Sequence, residues 1–376
     1  MIFHTSSTEF RRIVNAASKS ASKKNTLALM SYLRLSKEDG KFYITGGSVE
    51  STAKLRMNII PDISDTDDGF TGVCLPTQTL KDALGTLAEQ PLTVNIKDGK
   101  MTVKHSNGTF RMSVVSAEDY PQTTEMNETV AEFTINGGVF LHALKNAAVH
   151  TGNDMLRPQM SCVLIDLNAG QPITFAGTDG HTLYRQKSET QATQIAQVLI
   201  PATTIGAIAD AFREEDDITV KYDGKKVQLS TDGVTMVVTP PEGKFPNYNA
   251  VFPKESEYVL TASVKDLTAA VKRASLMAST ATELLRFEFF DNELHICTED
   301  IDFSKGAEET VPLVLSTVPN EFPPVGMKSS NLMKALPTIA TDNVVIELTQ
   351  ADRPIVARED KENAQVDILI MPIILN

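Results

Sequence analysis

The sequence predicts an α+β protein built from three repeated domains, and three observations carry that reading. The first is a strand-and-turn phrase that returns at a fixed interval. In Leu92-Thr93-Val94-Asn95-Ile96 apolar and polar residues alternate with the two-residue period of a half-buried strand. Asp98-Gly99 supplies a hairpin turn, after which Met101 and Val103 resume the alternation. Ile218–Tyr222 followed by Asp223-Gly224 is a second copy and Val344–Leu348 a third, so the copies begin 126 residues apart. The second observation is a set of proline landmarks. Pro76 and Pro201 each precede a helical stripe, and Tyr120-Pro121 and Phe245-Pro246 each close a copy, both pairs 125 residues apart. The third is the order of elements, which reads helix, strands, helix, strands in every copy. A period this long indicates triplicated domains rather than a solenoid of short repeats. The expected domains are 1–124, 129–252 and 256–376, each with two helices on one face of its sheets.

Domain 1 opens with a helix whose stripe is Phe10, Ile13, Val14 and Ala17, with Thr8 as the expected cap. Arg11, Arg12 and Lys19 point away from the stripe, and Lys23 and Lys24 follow it, against the single acid Glu9. Strands are expected at 32–35, 42–45 and 53–60. A second helix starts after Pro76, with Thr77 as cap and Leu80, Ala83, Leu84 and Leu87 as its stripe. The hairpin follows, then a last strand near Phe110–Val114. Domain 2 repeats this order with Phe140, Leu144, Ala147 and Ala148, then strands at 160–165 and 173–177, then Ile205, Ile208, Ala209 and Phe212. Domain 3 opens on Leu267, Ala270, Val271 and Ala274, with strands at 285–290 and 294–298. Its second helix carries Leu332, Ala335, Leu336 and Ile339, and Pro337 should kink or shorten it.

Composition narrows the class. Charged residues make up 22% and hydrophobic ones 41%, the balance of a soluble globular chain. The net charge of −13 opposes nucleic acid binding if it is spread evenly. It is not evenly spread. Bases gather on the first helix of each copy, whereas acids gather in loops and strands such as 62–68, 214–217 and Glu308-Glu309. One basic helix face is commonly just solvated, but the same bias in all three copies points to a shared cationic surface. Cys74, Cys162 and Cys297 sit singly in apolar runs, which argues against disulfides and for a reducing cytoplasm. No secretion signal is expected in MIFHTSSTEFRR, and the longest apolar run, Ile368–Leu375, is too short to span a bilayer.

Catalytic signatures are scarce. No phosphate loop, HExxH or GxSxG occurs, no metal-ligand spacing is present, and no cofactor is expected. One stretch, Gly177-Thr178-Asp179-Gly180-His181-Thr182-Leu183, admits two readings. As chemistry, Asp179 would orient His181 as the base of a hydrolase. As structure, it is a tight turn with Gly180 at positive φ, and Thr45-Gly46-Gly47 and Thr298-Glu299-Asp300 stand at the same place in the other copies. The apolar C-terminus, with Met371, Pro372, Ile373, Ile374 and Leu375, also admits two readings: a packed final strand, or the wall of an adaptable apolar pocket.

Thr178–Leu183, Gly243–Tyr248 with Val251-Phe252-Pro253, Met371-Pro372-Ile373 and Asn25–Met30 together resemble the bacterial β sliding clamp family, the processivity subunits of DNA polymerase III. The resemblance spans the whole chain. It implies a non-catalytic, cytoplasmic protein that forms a head-to-tail homodimeric ring, with helices lining the inside and sheets the outside, around duplex DNA of any sequence. Arg12, Lys24, Lys145, Arg157, Lys272 and Arg273 would face the duplex. It also implies a pocket for short linear motifs of the replicative polymerase, the clamp loader and repair proteins. Carried over by position, that pocket comprises Met160, Thr178, Gly180, His181, Leu183, Pro246, Val251, Leu369, Met371, Pro372, Ile373 and Leu375. Thr182 and Ala250 stand where the family often has arginine. Ring closure would set Phe110 and Met112 of one subunit against Leu276 and Met277 of the other.

Overall fold

The computed structural model describes residues 1–21, 28–48, 50–61, 70–121 and 126–375. They form two compact units: Met1–His142 with Val198–Glu242, and Ala143–Gln197 with Gly243–Asn376.

The recurring phrase is a paired strand in every copy. Pro91–Lys97 lies antiparallel to Ile2–Ser6, Asp217–Tyr222 to Ala131–Asn136, and Asn343–Leu348 to Tyr258–Ser263. The central pairs are Phe3↔Val94, Phe133↔Val220 and Leu260↔Ile346, so the second members keep the 126-residue interval. The opening strand of each copy is absent from the sequence reading, which begins each copy with its helix. The strands are short and run straight into the helix, so the two-residue period has little length in which to show.

The junction from strand to helix is made the same way each time. Ser6 accepts the Glu9 amide at 3.1 Å to start α1 (Ser7–Ser20), and Ser263 accepts the Asp266 amide at 3.2 Å to start α5 (Val264–Ser275). Asn136 Oδ1 accepts the amides of Gly138 and Val139 at the start of α3 (Gly137–Val149). Each oxygen satisfies amides that lack an intrahelical partner. The cap of α1 is therefore Ser6 rather than Thr8. The second helices are α2 (Thr77–Gly85), α4 (Ala202–Ala211) and α6 (Ser329–Ala335). Pro76 and Pro201 stand immediately before α2 and α4, and Thr77 spends its hydroxyl on the Ser31 carbonyl instead of capping. Pro337 does shorten α6, whose end tightens into a 3-10 turn at Leu336–Thr338.

In the first unit α1 packs against α2 and α4, and its stripe residues Phe10, Ile13, Val14 and Ala17 are fully buried. A nine-stranded sheet there joins the first copy to the second where Ser51–Met57 pairs with Val234–Val238, at Ala53↔Met236. In the second unit α5 packs against α6. Its sheet passes from Cys162–Leu167 through Pro172–Thr178 and Thr182–Gln191 to Val366–Ile370, and onward through the strands of the third copy. The joint between second and third copies is the pairing of Thr182–Gln191 with Val366–Ile370, at Leu183↔Leu369. One long strand, Lys305–Ser316, is not anticipated from sequence, because its run of charged residues at 308–309 hides the period.

Candidate functional site

A cavity of about 240 Å³ opens at that joint. Thr178 ends one strand, and the chain turns through Asp179 and Gly180 (φ 87°), a conformation that suits glycine. It re-enters the sheet at Thr182. Thr178 Oγ1 donates to the Thr182 carbonyl at 2.7 Å and accepts the Gly180 amide at 3.1 Å. Asp179 Oδ1 takes the amides of His181 and Thr182 at 2.9 and 2.7 Å, and Oδ2 takes Lys334 Nζ at 3.1 Å. Burial alone would raise the Asp179 carboxyl. Those two amides and the Lys334 ammonium outweigh it and hold the group below the usual carboxylate range.

This settles the two readings of the turn. The acceptor sites of Asp179 go to backbone amides, the Thr182 hydroxyl and Lys334, so its carboxylate builds the turn. Asp179 meets His181 through the backbone amide and not the imidazole, so it does not hold the ring as a base in the way the hydrolase reading requires.

Three further segments complete the cavity. Met160 enters from a 3-10 turn at Pro158–Ser161, whose carbonyl takes the Gly152 amide at 2.9 Å. The loop of Pro246, Asn247, Tyr248 and Val251 forms a second wall, anchored where the Tyr248 hydroxyl donates to Asp166 at 2.7 Å. Burial, then the adjacent Asp166 carboxylate, push the Tyr248 phenol well above its usual range. The last strand adds Leu369 and Met371, and the Met371 amide donates to the His181 carbonyl at 2.9 Å.

Met160, Thr178, Gly180, His181, Leu183, Pro246, Val251, Leu369 and Met371 thus meet as the sequence reading expects. Pro372, Ile373 and Leu375 do not line this cavity. After Met371 the tail leaves to bridge Gly326, whose carbonyl accepts the Ile373 amide at 2.7 Å. A β-carbon on Gly326 would meet the Ile373 carbonyl at 2.4 Å and the Leu375 side chain at 3.0 Å, so glycine makes room for the tail. Thr182, Asn247, Tyr248 and Arg157 are additions to the wall. The Phe-Pro-Asn-Tyr phrase already signals Asn247 and Tyr248. Arg157, expected to face DNA, lines the cavity and pairs with Asp154 at 2.9 Å.

Family profiles match both ends of the chain: the N-terminal domain of the DNA polymerase III beta subunit at residues 1–124 and its C-terminal domain at 249–374. The chain belongs to the DNA polymerase III beta subunit family. Among relatives, the beta sliding clamp of Micrococcus luteus is 24% identical over 80% of this chain and 96% of its own. That of Escherichia coli K12 is 22% identical over 92% of both. The fold is that of the Thermotoga maritima beta subunit (TM-score 0.89, 19% identity, full coverage of both chains) and of a Pseudomonas aeruginosa sliding clamp bound to griselimycin (0.88, 19%, full coverage of both). Beta subunits are processivity factors without catalysis, which agrees with the turn role of Asp179.

The other residues expected to act in this beta subunit are placed as follows. Lys145 on α3 and Lys272 on α5 are exposed. Arg12 is held by Glu9 of its own helix at 3.0 Å, and Arg273 by Glu309 at 2.9 Å. Part of the cationic face expected from sequence is therefore neutralised by neighbouring carboxylates. Lys24 lies outside the described residues. Leu276 and Met277, at the end of α5, are 70% and 40% exposed. Phe110 is half-buried against His105, and Met112, paired across from Met101, is only 9% exposed. In the isolated chain Met112 thus packs inward, leaving Phe110 as the accessible member of that pair. Among the described residues no cluster of metal-ligating side chains occurs, and no helix is long and apolar enough to cross a membrane.

Proposed function

We propose that the protein is a DNA sliding clamp that works in the cytoplasm: two copies close head to tail into a ring around duplex DNA. Three domains per chain (1–124, 129–252, 256–376) would place their helices toward the duplex and their sheets outward. A ring holds DNA by enclosure, so weak contacts without sequence preference suffice. Lys145 and Lys272, exposed on α3 and α5, are the best placed to meet phosphates. The overall charge of −13 would keep DNA off the outer surface.

The observation that carries the reading is the cavity where Leu183 faces Leu369. It is mostly apolar and open, and its walls come from four separate segments. Such a site suits short peptide motifs of the replicative polymerase, the clamp loader and repair proteins. Each apolar anchor buried there would contribute roughly 1.5–3 kcal/mol before ordering costs. That scale allows exchange between partners.

Leu276 and Met277 would close the ring against Phe110 of the other subunit, aided by any opening of the Met112 side. Replacing both Leu276 and Met277 with aspartate should convert dimers to monomers in analytical ultracentrifugation. It should also abolish retention on nicked circular DNA after loading, while peptide binding persists. A doubly substituted protein that still sediments as a dimer would falsify this closure. Wild-type protein that stays on the DNA after the circle is linearised would exclude a topological hold.

A further inference from the structure

One guanidinium ties together three of the segments that form the cavity. Arg185 lies on the strand that carries Thr182 and Leu183. Its Nε and an Nη reach Asp367 Oδ2 at 3.0 and 2.6 Å, on the strand that carries Leu369. Its other Nη donates to Asn249 Oδ1 at 3.0 Å, and the guanidinium lies 3.8 Å from the centre of the Phe252 ring. Asn249 and Phe252 flank Val251, in the loop that forms the remaining wall. The Arg185 and Asp367 side chains are only 15% and 11% exposed, so their pairing is shielded from solvent. Asp367 Oδ1 is separately engaged by Arg358 Nε at 2.7 Å, which fixes the carboxylate that Arg185 grips. No other side chain described above bonds both flanking strands and the loop. Arg185 itself does not line the cavity.

We propose that Arg185 is a positioning residue for peptide capture: it holds the loop bearing Val251 at the distance from Leu183 and Leu369 that keeps the cavity open before a peptide arrives. The role rests on the cavity being a peptide site. A wall fixed in advance spares the peptide the cost of ordering it. Arginine is required because one planar head must bond an acid and an amide while lying on an aromatic face, which a single ammonium cannot do.

The probe is a short fluorescent peptide with adjacent leucine and phenylalanine anchors, read by anisotropy against the whole 376-residue chain. Arg185→Met keeps the stem and removes the head, and affinity should fall by about tenfold. Arg185→Lys should keep the wild-type thermal midpoint through Asp367 without recovering the affinity, a separation that a purely structural role would not give. In protein carrying fluorophenylalanine, the fluorine signal of Phe252, assigned by its loss in Phe252→Leu, should move or broaden in Arg185→Met. Asn249→Ala, at an exposed position, repeats the affinity test if the Met variant does not fold. Wild-type affinity in Arg185→Met, or in Asn249→Ala where only that variant folds, overturns the proposal, as does an unmoved Phe252 signal. If wild-type protein fails to take the peptide, the pocket reading falls and capture with it, while the fluorine signal still decides whether Arg185 holds the loop.

Discussion

The first and second copies share one packing device and put it to different ends. Near the end of the first helix of each copy a backbone carbonyl presses on a strand glycine. A β-carbon on Gly46 would lie 2.0 Å from the Ala17 oxygen, and one on Gly177 would lie 2.1 Å from the Ala147 oxygen. Three residues beyond each carbonyl sits a buried polar side chain, Ser20 or His150, with no hydrogen-bond partner among the described residues. From there the copies diverge. In the first, Gly46 and Gly47 continue the strand, and Tyr120 packs with Leu29, Tyr32, Cys74 and Ala117. In the second, Asp179 and Gly180 break the strand and the cavity opens. The repeat is a scaffold, and the site depends on a few polar groups that the scaffold does not need.

The largest effect should come from attacking the shared device. Gly177→Ala and Gly46→Ala both drive a methyl into a backbone carbonyl that cannot swing aside. Each should cost about 3 kcal/mol, near the top of the overpacking range. Urea denaturation should show similar losses for the two. A large loss at one and none at the other would mean that the copies do not share this contact.

Next comes the acid sensitivity that His150 confers on the second copy, which its counterpart Ser20 cannot supply. Burial pushes the His150 imidazole down to about 4; Asp179 opposes this and Lys334 adds to it. The ring is stacked on buried Tyr184, 5.6 Å between centroids. An unfolded histidine takes its proton near pH 6.5. Between those values the unfolded chain binds more protons than the folded one, so stability falls as pH drops from about 6.5 toward 4. The loss attributable to this group should reach roughly 3 kcal/mol at the acid end. Urea midpoints measured from pH 7 to pH 4.5 should decline more gently in His150→Phe. Ser20 has no such titration, so Ser20→Ala should leave the slope alone.

What the sequence made legible follows the same division. Stripes such as Phe10, Ile13, Val14 and Ala17 announce the helices, and the 126-residue interval announces the strands, because burial imposes a period on both. Ile2–Ser6 and Lys305–Ser316 stayed hidden: one is too short to display a period, the other is masked by charge. Nine of the twelve residues that the family resemblance assigns to a pocket line one cavity, most of them in or beside turns and strand ends. Pro372, Ile373 and Leu375 were misplaced because a tail's path after its last strand depends on a distant partner, here Gly326, and no local pattern encodes that. Arg157 also stands at the cavity, paired with Asp154, a placement that its charge and its position after the helix do not reveal. Arg185 escaped notice because its three partners lie far away in sequence.

A smaller effect should separate the turn from its counterpart. Asp179→Ala strips the amides of His181 and Thr182 and the Lys334 ammonium of their acceptor. Stranding such groups costs about 1–3 kcal/mol, and because Lys334 and the turn are partly solvated the lower half of that range is expected. Peptide affinity should drop with it, since His181 and Gly180 would lose their placement. The stabilising effect of the carboxylate is present above the ordinary carboxylate pKa and is lost as pH falls through its lowered folded value, so the variant should differ least from wild type in strong acid.

The smallest effect tests whether the first copy is closed by packing or by polar ties. The Tyr120 hydroxyl reaches the carbonyls of Tyr32 and Thr45 at 3.4 Å each, long for O–H···O bonds. Its ring is nevertheless buried, 5% exposed, among apolar neighbours. One hydroxyl proton shared between two stretched contacts should be worth less than about 1 kcal/mol, whereas the ring itself should be worth several times that. Tyr120→Phe should therefore shift the thermal midpoint only slightly and leave peptide binding untouched. Tyr248, which closes the cavity wall through a 2.7 Å bond to the buried Asp166, has no such slack. A Tyr120→Phe loss as large as that of Asp179→Ala would show that both copies depend on directed polar contacts, and that the difference between them lies elsewhere.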